Sequence, residues 1–287
     1  IAPKEIVENI VIGREQTETD LLFRGAQILS VFGVVYESEI ENVANLKNRL
    51  KPEDLRTAIR KLEGRRIIQR KGRAFMVQPR PVALCLAEMV WEEWGEKIWD
   101  EIITGPVSES LKERAFKQLS LLGSTKTGVQ IGEYLLREDG PLDSVESLVQ
   151  PGRAEILSRL SEINPEGAVY LLERNLGVLS SAELKKINND SRRHIVWALE
   201  KISFCPETFE QGAKLMLNLA VAETENYSNN ATGLFQSFFP VHLGNTEANS
   251  DKRFRVIDDA LNTKNEQQRI IVVEALLSGA KTNFFSR

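Results

Sequence analysis

Hydrophobic positions between Leu46 and Arg80 follow two periodicities in succession, and the rest of the chain is organised around this stretch. Pro52 suits the first position of a helix, because its missing N–H would be unpaired there, and Gly64 favours the end. Between them, four apolar residues recur at i, i+3, i+4 and i+7, which places them on one helical face. They are Leu55, Ala58, Ile59 and Leu62. The pattern predicts a helix over 52–64.

The residues that follow this helix predict a short β-hairpin over Ile67–Val77. Its turn falls at Lys71-Gly72, where glycine supplies a positive φ. Ile68 and Phe75 are expected to face the core. A helix that runs into a basic hairpin is typical of the second half of a winged helix-turn-helix.

The flanking residues complete a predicted winged-helix domain over 20–104. Apolar spacing predicts a helix from about 20 to 32, a minimal strand at Val34–Tyr36 and a short helix after Ser38. A long helix opens at Arg80 and runs to about Ile103, before Gly105-Pro106 breaks the chain. Residues 1–19 are expected to be a linker or the tail of a missing upstream domain.

Residues 105–287 carry almost no strand signal and predict an α-helical repeat domain. Ser161–Glu166 matches Ile202–Glu207 at a spacing of 41 residues, which is typical of HEAT-like or TPR-like arrays. The fold class is therefore mainly α. The longest stretch without a predicted element is Glu223–Ser250, and long loops are often functional. Helices are predicted at 108–122, 126–138, 153–163, 165–176, 181–188, 191–204, 206–222, 252–262 and 265–278.

Charge changes this picture, because it is unevenly distributed. Residues 47–80 hold twelve Lys or Arg and three acids, a net +9, and the net charge of −4 leaves −13 for the rest of the chain. Without an 18-residue apolar run or a leader peptide, no membrane span is expected. The two cysteines, Cys85 and Cys205, are expected to be buried free thiols, which suits a cytoplasmic protein.

The basic segment has two interpretations that the residues leave open. In a DNA reader, the second helix enters the major groove and the wing contacts phosphate. In many multidomain proteins, a winged helix is instead a docking module for another protein surface, and Glu53 on the outward face favours this role. The candidate contacts are Arg56, Thr57, Arg60 and Lys61 on the helix and Arg70, Lys71 and Arg73 on the wing.

Patterns that indicate catalysis or cofactor binding are missing from the sequence. Gly123–Gly128 is rich in glycine and threonine, but it lacks the order and the preceding strand of a phosphate-binding loop. His194 and His242 have no partner at metal-ligand spacing, so a structural role is expected for both. We predict no catalytic residue, metal site or cofactor site within the chain.

Three aromatic residues stand in the polar stretch after Glu223. Phe235, Phe238 and Phe239 are interpreted as core residues by default, and a partner-binding surface is the alternative because they follow a polar loop.

Several segments resemble bacterial STAND-type NTPases, which are multidomain signal-transduction ATPases. Asp190–Phe209 (DSRRHIVWALEKISFCPETF), Asn229–Pro240 (NNATGLFQSFFP) and His242–Glu247 are similar to this family, as is Arg80-Pro-Val-Ala-Leu. The resemblance covers about residues 20–262. It implies the order effector, P-loop NTPase, winged helix and helical-repeat sensor, with ATP and Mg²⁺ bound upstream. The basic segment lacks the histidine that some family winged helices offer to the nucleotide.

The leading hypothesis is therefore a non-catalytic regulatory and sensor portion of a STAND-like ATPase. Its expected partners are its own NTPase domain and a protein trigger, and the resemblance extends to antiphage defence proteins. The competing hypothesis is a DNA-binding transcriptional regulator with a helical interaction domain. Because the chain starts at Ile1 without Met and ends on Phe284–Arg287, we expect a piece of a larger protein. The oligomeric state is not predicted.

Overall fold

The computed structural model describes residues 4–13, 19–46, 50–97, 99–105, 107–227, 229–240 and 244–280. It is mainly α, with 68% helix and 4% strand, as the apolar periodicity predicts. In the described part of the chain, no helix combines the length and the apolar character needed to cross a membrane. The chain divides into two compact units, 1–134 and 135–287. The domain boundary expected at Gly105-Pro106 remains a prediction, and Pro106 lies outside the described residues.

The first unit contains six helices, most of a seventh, and three short strands among its described residues. In chain order they are α1 (Lys4–Ile12), α2 (Thr19–Phe32), β1 (Val35–Tyr36), α3 (Ile40–Ala44), α4 (Pro52–Gly64), β2 (Ile68–Lys71), β3 (Ala74–Val77), α5 (Arg80–Trp94), α6 (Glu109–Ser120) and α7 (Lys126–Leu136).

The three strands form one antiparallel sheet in the order β1-β3-β2. Val35 pairs with Phe75, and Ile68 pairs with Val77. Gly72, at φ +60°, supplies the left-handed turn between β2 and β3. Ile68 and Phe75 are buried. The hairpin and its core-facing residues are therefore confirmed, and the minimal strand predicted at Val34–Tyr36 is found at Val35–Tyr36.

Helix α2 is the centre of the first unit. It packs against α4, α5, α6 and β3, with Leu22, Leu29 and Phe32 buried in the contacts. Gly25 allows its backbone to come close to α4, because an added Cβ would lie 2.7 Å from Cβ of Ala58. Alanine at position 25 would therefore push α2 and α4 apart.

The end of the predicted long helix differs from the expectation. Helix α5 ends at Trp94, and Gly95 at φ +49° turns the chain into a short 3₁₀ turn and then a π-helical turn at Trp99–Ile103. Trp91 and Trp94 pack edge to face, 5.6 Å between ring centroids, inside the unit. A positive φ at Gly95 interrupts helical hydrogen bonding, so apolar spacing beyond it is not evidence for a continuous helix.

The second unit is built from helices, with no strand among its described residues. They are α8 (Val145–Leu148), α9 (Arg153–Leu160), α10 (Pro165–Leu176), α11 (Ser181–Leu184), α12 (Asn189–Phe204), α13 (Phe209–Val221), α14 (Ala231–Ser237), α15 (Ser250–Leu261) and α16 (Glu266–Gly279). Of the nine predicted helices, α10 has the predicted bounds of 165–176.

Packing in the second unit proceeds from one pair of helices to the next. Helix α9 packs against α12, α10 contacts α12 and α13, and α13 contacts α15 and α16. Asparagine is the recurrent N-cap, since its side chain accepts a backbone N–H at the start of five helices. Those caps are Asn164, Asn188, Asn230, Asn249 and Asn265.

The stretch Glu223–Ser250 is not irregular throughout, which corrects the sequence interpretation. It contains α14, which begins at the Asn230 cap. Phe235 and Phe238 are fully buried and Phe239 is 9% exposed. Phe238 packs edge-on against Phe209 of α13, 5.9 Å between centroids. These three rings belong to the core, so the partner-surface alternative is wrong in this conformation, because a partner cannot reach them.

Candidate functional site

The outward face of α4 carries four of the seven predicted contact residues. Its buried stripe is the predicted one, and this fixes the opposite side toward solvent. Arg56, Arg60 and Lys61 are exposed, whereas Thr57 is half-buried. The helix continues through Gly64, and the left-handed residue that turns the chain after it is Arg66 at φ +61°.

Polar atoms at the centre of this face are bonded to their own helix. Thr57 Oγ1 donates to the carbonyl of Glu53 at 2.9 Å. The same hydroxyl accepts a hydrogen bond from Arg60 Nη2 at 3.3 Å. Two of the predicted contact residues, Thr57 and Arg60, therefore bond to each other.

The hairpin carries the other three predicted contact residues. Arg70 Nε donates to the carbonyl of Gly72 at 3.0 Å, and its guanidinium lies 5.2 Å from the ring centroid of Phe75. Lys71 and Arg73 are exposed at the tip of the hairpin. Since β2 follows α4 after three residues and contacts it, the helix and the hairpin form one basic surface.

Acidic residues flank this basic surface. Arg56 Nη2 lies 3.4 Å from Glu41 Oε1, and Arg70 Nη2 lies 3.2 Å from Glu37 Oε2. Surface pairs of this kind contribute about 0–1 kcal/mol, so they do not remove the positive potential. They place carboxylates where a nucleic-acid phosphate would have to approach.

One cation of the basic segment bonds within the first unit and does not belong to the predicted contact surface. Arg65 Nη1 donates to the carbonyl oxygens of Val11 and Ile12, at 3.2 and 2.8 Å, and so caps the C-terminus of α1. A cation at this end of a helix also interacts favourably with the negative end of the helix dipole. Arg65 is therefore a structural residue of the first unit.

The sequence interpretation missed the buried arginine of the second unit. Arg192 is 1% exposed, and its Nη1 and Nη2 donate to the carbonyls of Leu184 and Leu219 at 3.0 and 2.6 Å. Its Nε lies 2.6 Å from Glu225 Oε1, close enough for an ion pair although the two atoms are not aligned as a hydrogen bond. Arg192 precedes the buried Ile195 by three residues, so a helical wheel places both on the same buried face. This spacing could have identified Arg192 as a buried residue.

A polar cleft of about 420 Å³ lies between α9 and α12, and sequence reasoning missed this too. Glu155, Arg159 and Glu162 line it from the side of α9. His194, Trp197, Glu200 and Lys201 line it from α12, and Asn229 completes it. The residues come from three separate segments, 155–162, 194–201 and residue 229, so no local spacing reveals that they converge.

His194, for which a structural role is predicted, lies beside Trp197 and Asp190. Its ring meets Trp197 edge to face, 5.2 Å between centroids, and Nε2 lies 4.0 Å from Asp190 Oδ1. His242 lies outside the described residues. Within the described ranges, no group of three His, Cys, Asp or Glu side chains is arranged to hold a metal ion.

The thiols differ in exposure. Cys85 is buried and Cys205 is half-buried, and neither forms a disulfide. Burial raises the pKa of both thiols above the ordinary value, which disfavours the reactive thiolate.

Comparisons of this chain with protein-family models, curated proteins and solved structures find no match. The case for a function therefore depends on the geometry of the basic surface and the cleft.

Proposed function

We propose that this chain is the non-catalytic regulatory and sensor portion of a STAND-like ATPase. The first unit is a winged helix that docks on an NTPase domain through its basic surface. The second unit is a helical-repeat sensor that binds a protein trigger, in antiphage defence or a related signalling role. On this proposal, ATP and Mg²⁺ belong to a domain upstream of Ile1.

The order of elements supports the winged-helix part of the proposal. Elements α2, β1, α3, α4, β2 and β3 follow one another, and the strand order is β1-β3-β2. In this arrangement the second helix of a helix-turn-helix is α4 and the wing is the β2–β3 hairpin. The apolar stripe of α4 then faces α2, and its basic side faces a partner.

Stacked helix pairs support the sensor part. The matched segments 161–166 and 202–207 both lie at the turn between two helices, α9 to α10 and α12 to α13. Helix α9 packs on α12 and α10 packs on α13, so corresponding helices are neighbours. A third pair, α15 and α16, packs on α13. Each pair buries its apolar face against the next, as in a solenoid.

One observation favours protein docking over DNA reading, and it carries the functional proposal. Thr57 and Arg60 bond to each other, and carboxylates flank Arg56 and Arg70. A DNA reader needs donors and acceptors directed at base edges and a surface without repulsion of phosphate. A protein partner with an acidic surface can exchange ion pairs with the same side chains.

The first test is the reading frame that encodes the residues before Ile1. A Walker A motif there, followed by a nucleotide-binding domain, is the expected result, and a start codon immediately before Ile1 would contradict the proposal. The second test measures binding of this chain to that domain, with and without Arg60→Ala and Arg70→Ala. The double variant is expected to weaken binding by about tenfold or more, and equal affinity would exclude the basic surface as the docking site.

A DNA-binding regulator is the second candidate, and one observation favours it. The side chains of Lys71 and Arg73 make no ion pair or hydrogen bond within the described ranges, so the tip of the wing presents two cations to solvent. Fluorescence anisotropy with mixed-sequence duplex DNA at several salt concentrations tests this role. A phosphate-binding wing gives a slope of about −0.9 per phosphate contact, and Lys71→Ala with Arg73→Ala reduces it. The matched control is Lys185→Ala with Lys186→Ala, two exposed cations of the second unit.

A further inference from the structure

Two segments that the sequence analysis singled out meet at the polar cleft of the second unit. Asp190–Phe209 contributes Trp197, Glu200 and Lys201, and Asn229–Pro240 contributes Asn229. The side chain of Asn245, in the following segment, donates to Glu200 Oε1 at 2.8 Å. Residues far apart in sequence therefore form one cleft. The role proposed for the basic surface of the first unit does not account for this cleft.

The cations in this cleft already have partners. Lys201 Nζ donates to the carbonyl of Ser158 at 2.7 Å and lies 2.6 Å from Glu162 Oε1. Arg159 Nη2 lies 3.9 Å from Glu155 Oε1, and Arg159 Nη1 lies 3.9 Å from Glu162 Oε1. An incoming anion would therefore have to displace these carboxylates, and the cleft is a poor site for an anion.

Glu200 differs from the other two carboxylates in the cleft. It is half-buried, and within the described ranges it makes no ion pair, only the hydrogen bond from Asn245. A half-buried carboxylate without a cationic partner keeps an electrostatic field directed into the cleft. That field attracts a positive group.

Trp197 supplies the second element of recognition. It precedes Glu200 by three residues on α12, so both side chains lie on one helical face. The guanidinium of Arg193 lies 5.5 Å from its ring centroid, an example of the cation–π contact that this ring accepts. The ring of His194 packs nearly perpendicular to it, with 5.2 Å between the ring centroids.

We infer that the cleft between α9 and α12 binds a cationic side chain, arginine or lysine, of a partner polypeptide. The positive group lies between the carboxylate of Glu200 and the ring of Trp197, and the neighbouring polar residues contact the peptide backbone. That the partner is a protein rests on the sensor role proposed above. The recognition chemistry depends only on the cleft.

The experiment titrates the intact chain with three short peptides, acetyl-Gly-Arg-Gly-amide and its lysine and citrulline counterparts. Citrulline has nearly the shape of arginine without the charge. The readout is the indole N–H signal of Trp197 in ¹⁵N NMR spectra, assigned by its loss in Trp197→Phe. We expect a saturable shift with a Kd of about 1 mM for arginine or lysine, whichever fits, and no saturable shift for citrulline.

Variants then test the role of Glu200. Glu200→Gln keeps the shape and can still accept the Asn245 hydrogen bond, and we expect it to weaken binding by about fivefold or more. Glu173→Gln, on an exposed face of α10, is the matched control and should bind as the wild type does. Amide hydrogen exchange of α12 and α13 reports whether the second unit of each variant is folded.

Three results would overturn the inference. They are no shift of Trp197 up to about 10 mM of either cationic peptide, an equal shift with citrulline, or unchanged affinity in Glu200→Gln. The peptide comparison uses the wild-type protein alone, so an unfolded variant does not block the test. Because a small peptide is the probe, failure here leaves the docking test of the basic surface untouched, and the two proposals fail separately.

Discussion

Arginine has two opposite roles in this protein, and Arg192 of the second unit and Arg70 of the first are the clearest examples. In the second unit, Arg192 is 1% exposed and holds the carbonyls of α11 and α13 together. In the first unit, Arg70 is 45% exposed and pairs with Glu37, itself 53% exposed. The same type of side chain joins two helices by buried hydrogen bonds in one place and is a surface charge in the other.

Burial accounts for this difference. Removing one partner of a buried pair leaves an uncompensated charge or unpaired carbonyls, whereas an exposed guanidinium loses little because water replaces its partner. The exposed arginines can therefore bind a partner with little loss of stability, whereas the buried one is needed to stabilise the fold. Four single substitutions, in order of decreasing effect on stability, and one double variant test this comparison.

Arg192→Met should have the largest effect. It leaves Glu225 buried without its cation and the Leu184 and Leu219 carbonyls without a donor, so we expect the second unit to lose roughly 3–5 kcal/mol of stability. Urea unfolding followed by hydrogen exchange of second-unit peptides measures this loss. Arg193→Met, one position along on the exposed face, is the control and should change stability by less than about 1 kcal/mol.

A second substitution separates the buried charge from the lost contacts. If the penalty comes from leaving Glu225 unpaired, Arg192→Met with Glu225→Gln should be more stable than Arg192→Met alone. Additive losses in the double variant would show that the pair is not coupled.

Arg114→Met should have an intermediate effect, located in the first unit. Arg114 is 15% exposed, donates to the Val34 carbonyl at 2.8 Å, pairs with Glu39 and lies over the Tyr36 ring. We expect the free energy of unfolding to fall by roughly 1.5–3 kcal/mol, because the lost hydrogen bonds are charge-assisted but partly exposed to solvent. Hydrogen exchange of β1 and α6 should increase, and an unchanged pattern there would show that α6 is not tied to the strand.

Asp143→Asn tests a carboxylate through its pH dependence. Partial burial acts to raise the pKa of Asp143, but hydrogen bonds from Arg174, the Asp139 amide and Asn175 outweigh it and hold the pKa below the ordinary value. Because the folded pKa is the lower one, the unfolded chain takes up the proton first as the pH falls. The stabilisation is therefore present above the unfolded pKa of about 3.9 and is lost as the pH falls through the folded pKa.

The variant should accordingly be less stable than the wild type by about 1 kcal/mol near pH 7. The difference should shrink as the pH falls below about 4. Urea titrations of both proteins at a series of pH values measure it. A difference that stays constant down to acidic pH would mean that the amide disturbs packing rather than charge.

Arg70→Ala should have the smallest effect on folding, below about 1 kcal/mol, because its ion pair is exposed. Its effect is expected instead on docking, as tested with Arg60→Ala. A stability loss as large as that of Arg114→Met would remove the contrast between buried and exposed arginines. Thermal unfolding of the variant at low and high salt provides the measurement.

Local patterns account for most of the first unit's elements. The stripe of α4, Pro52 at its start and Gly72 in the hairpin are each decided by residues within a few positions, so the sequence predicts them correctly. Arg66 shows the limit of this reasoning, since the left-handed turn falls there and not at Gly64. Nothing in a local window identifies which of two neighbouring residues will accept the strain.

The predicted site was read from charge, and charge does not reveal partners. Arg65 belongs to the same basic segment as Arg70, yet it caps α1 from more than fifty residues away. For the three phenylalanines the sequence leaves a core role and a partner surface as alternatives, and packing of α13 and α14 decides for the core. Both outcomes depend on what other elements bring nearby.

By itself, the sequence determined the mainly helical class, the short hairpin and the apolar faces, because these follow from backbone preferences and the burial of nearby side chains. Only the tertiary structure decided which charges are buried, which are partnered and which face a cleft. It buried Arg192, gave Arg65 a helix end to cap, and set Trp197 and Glu200 opposite α9. The physical reason is that the energy of a charge depends on all its neighbours in space, and most of those are distant in sequence.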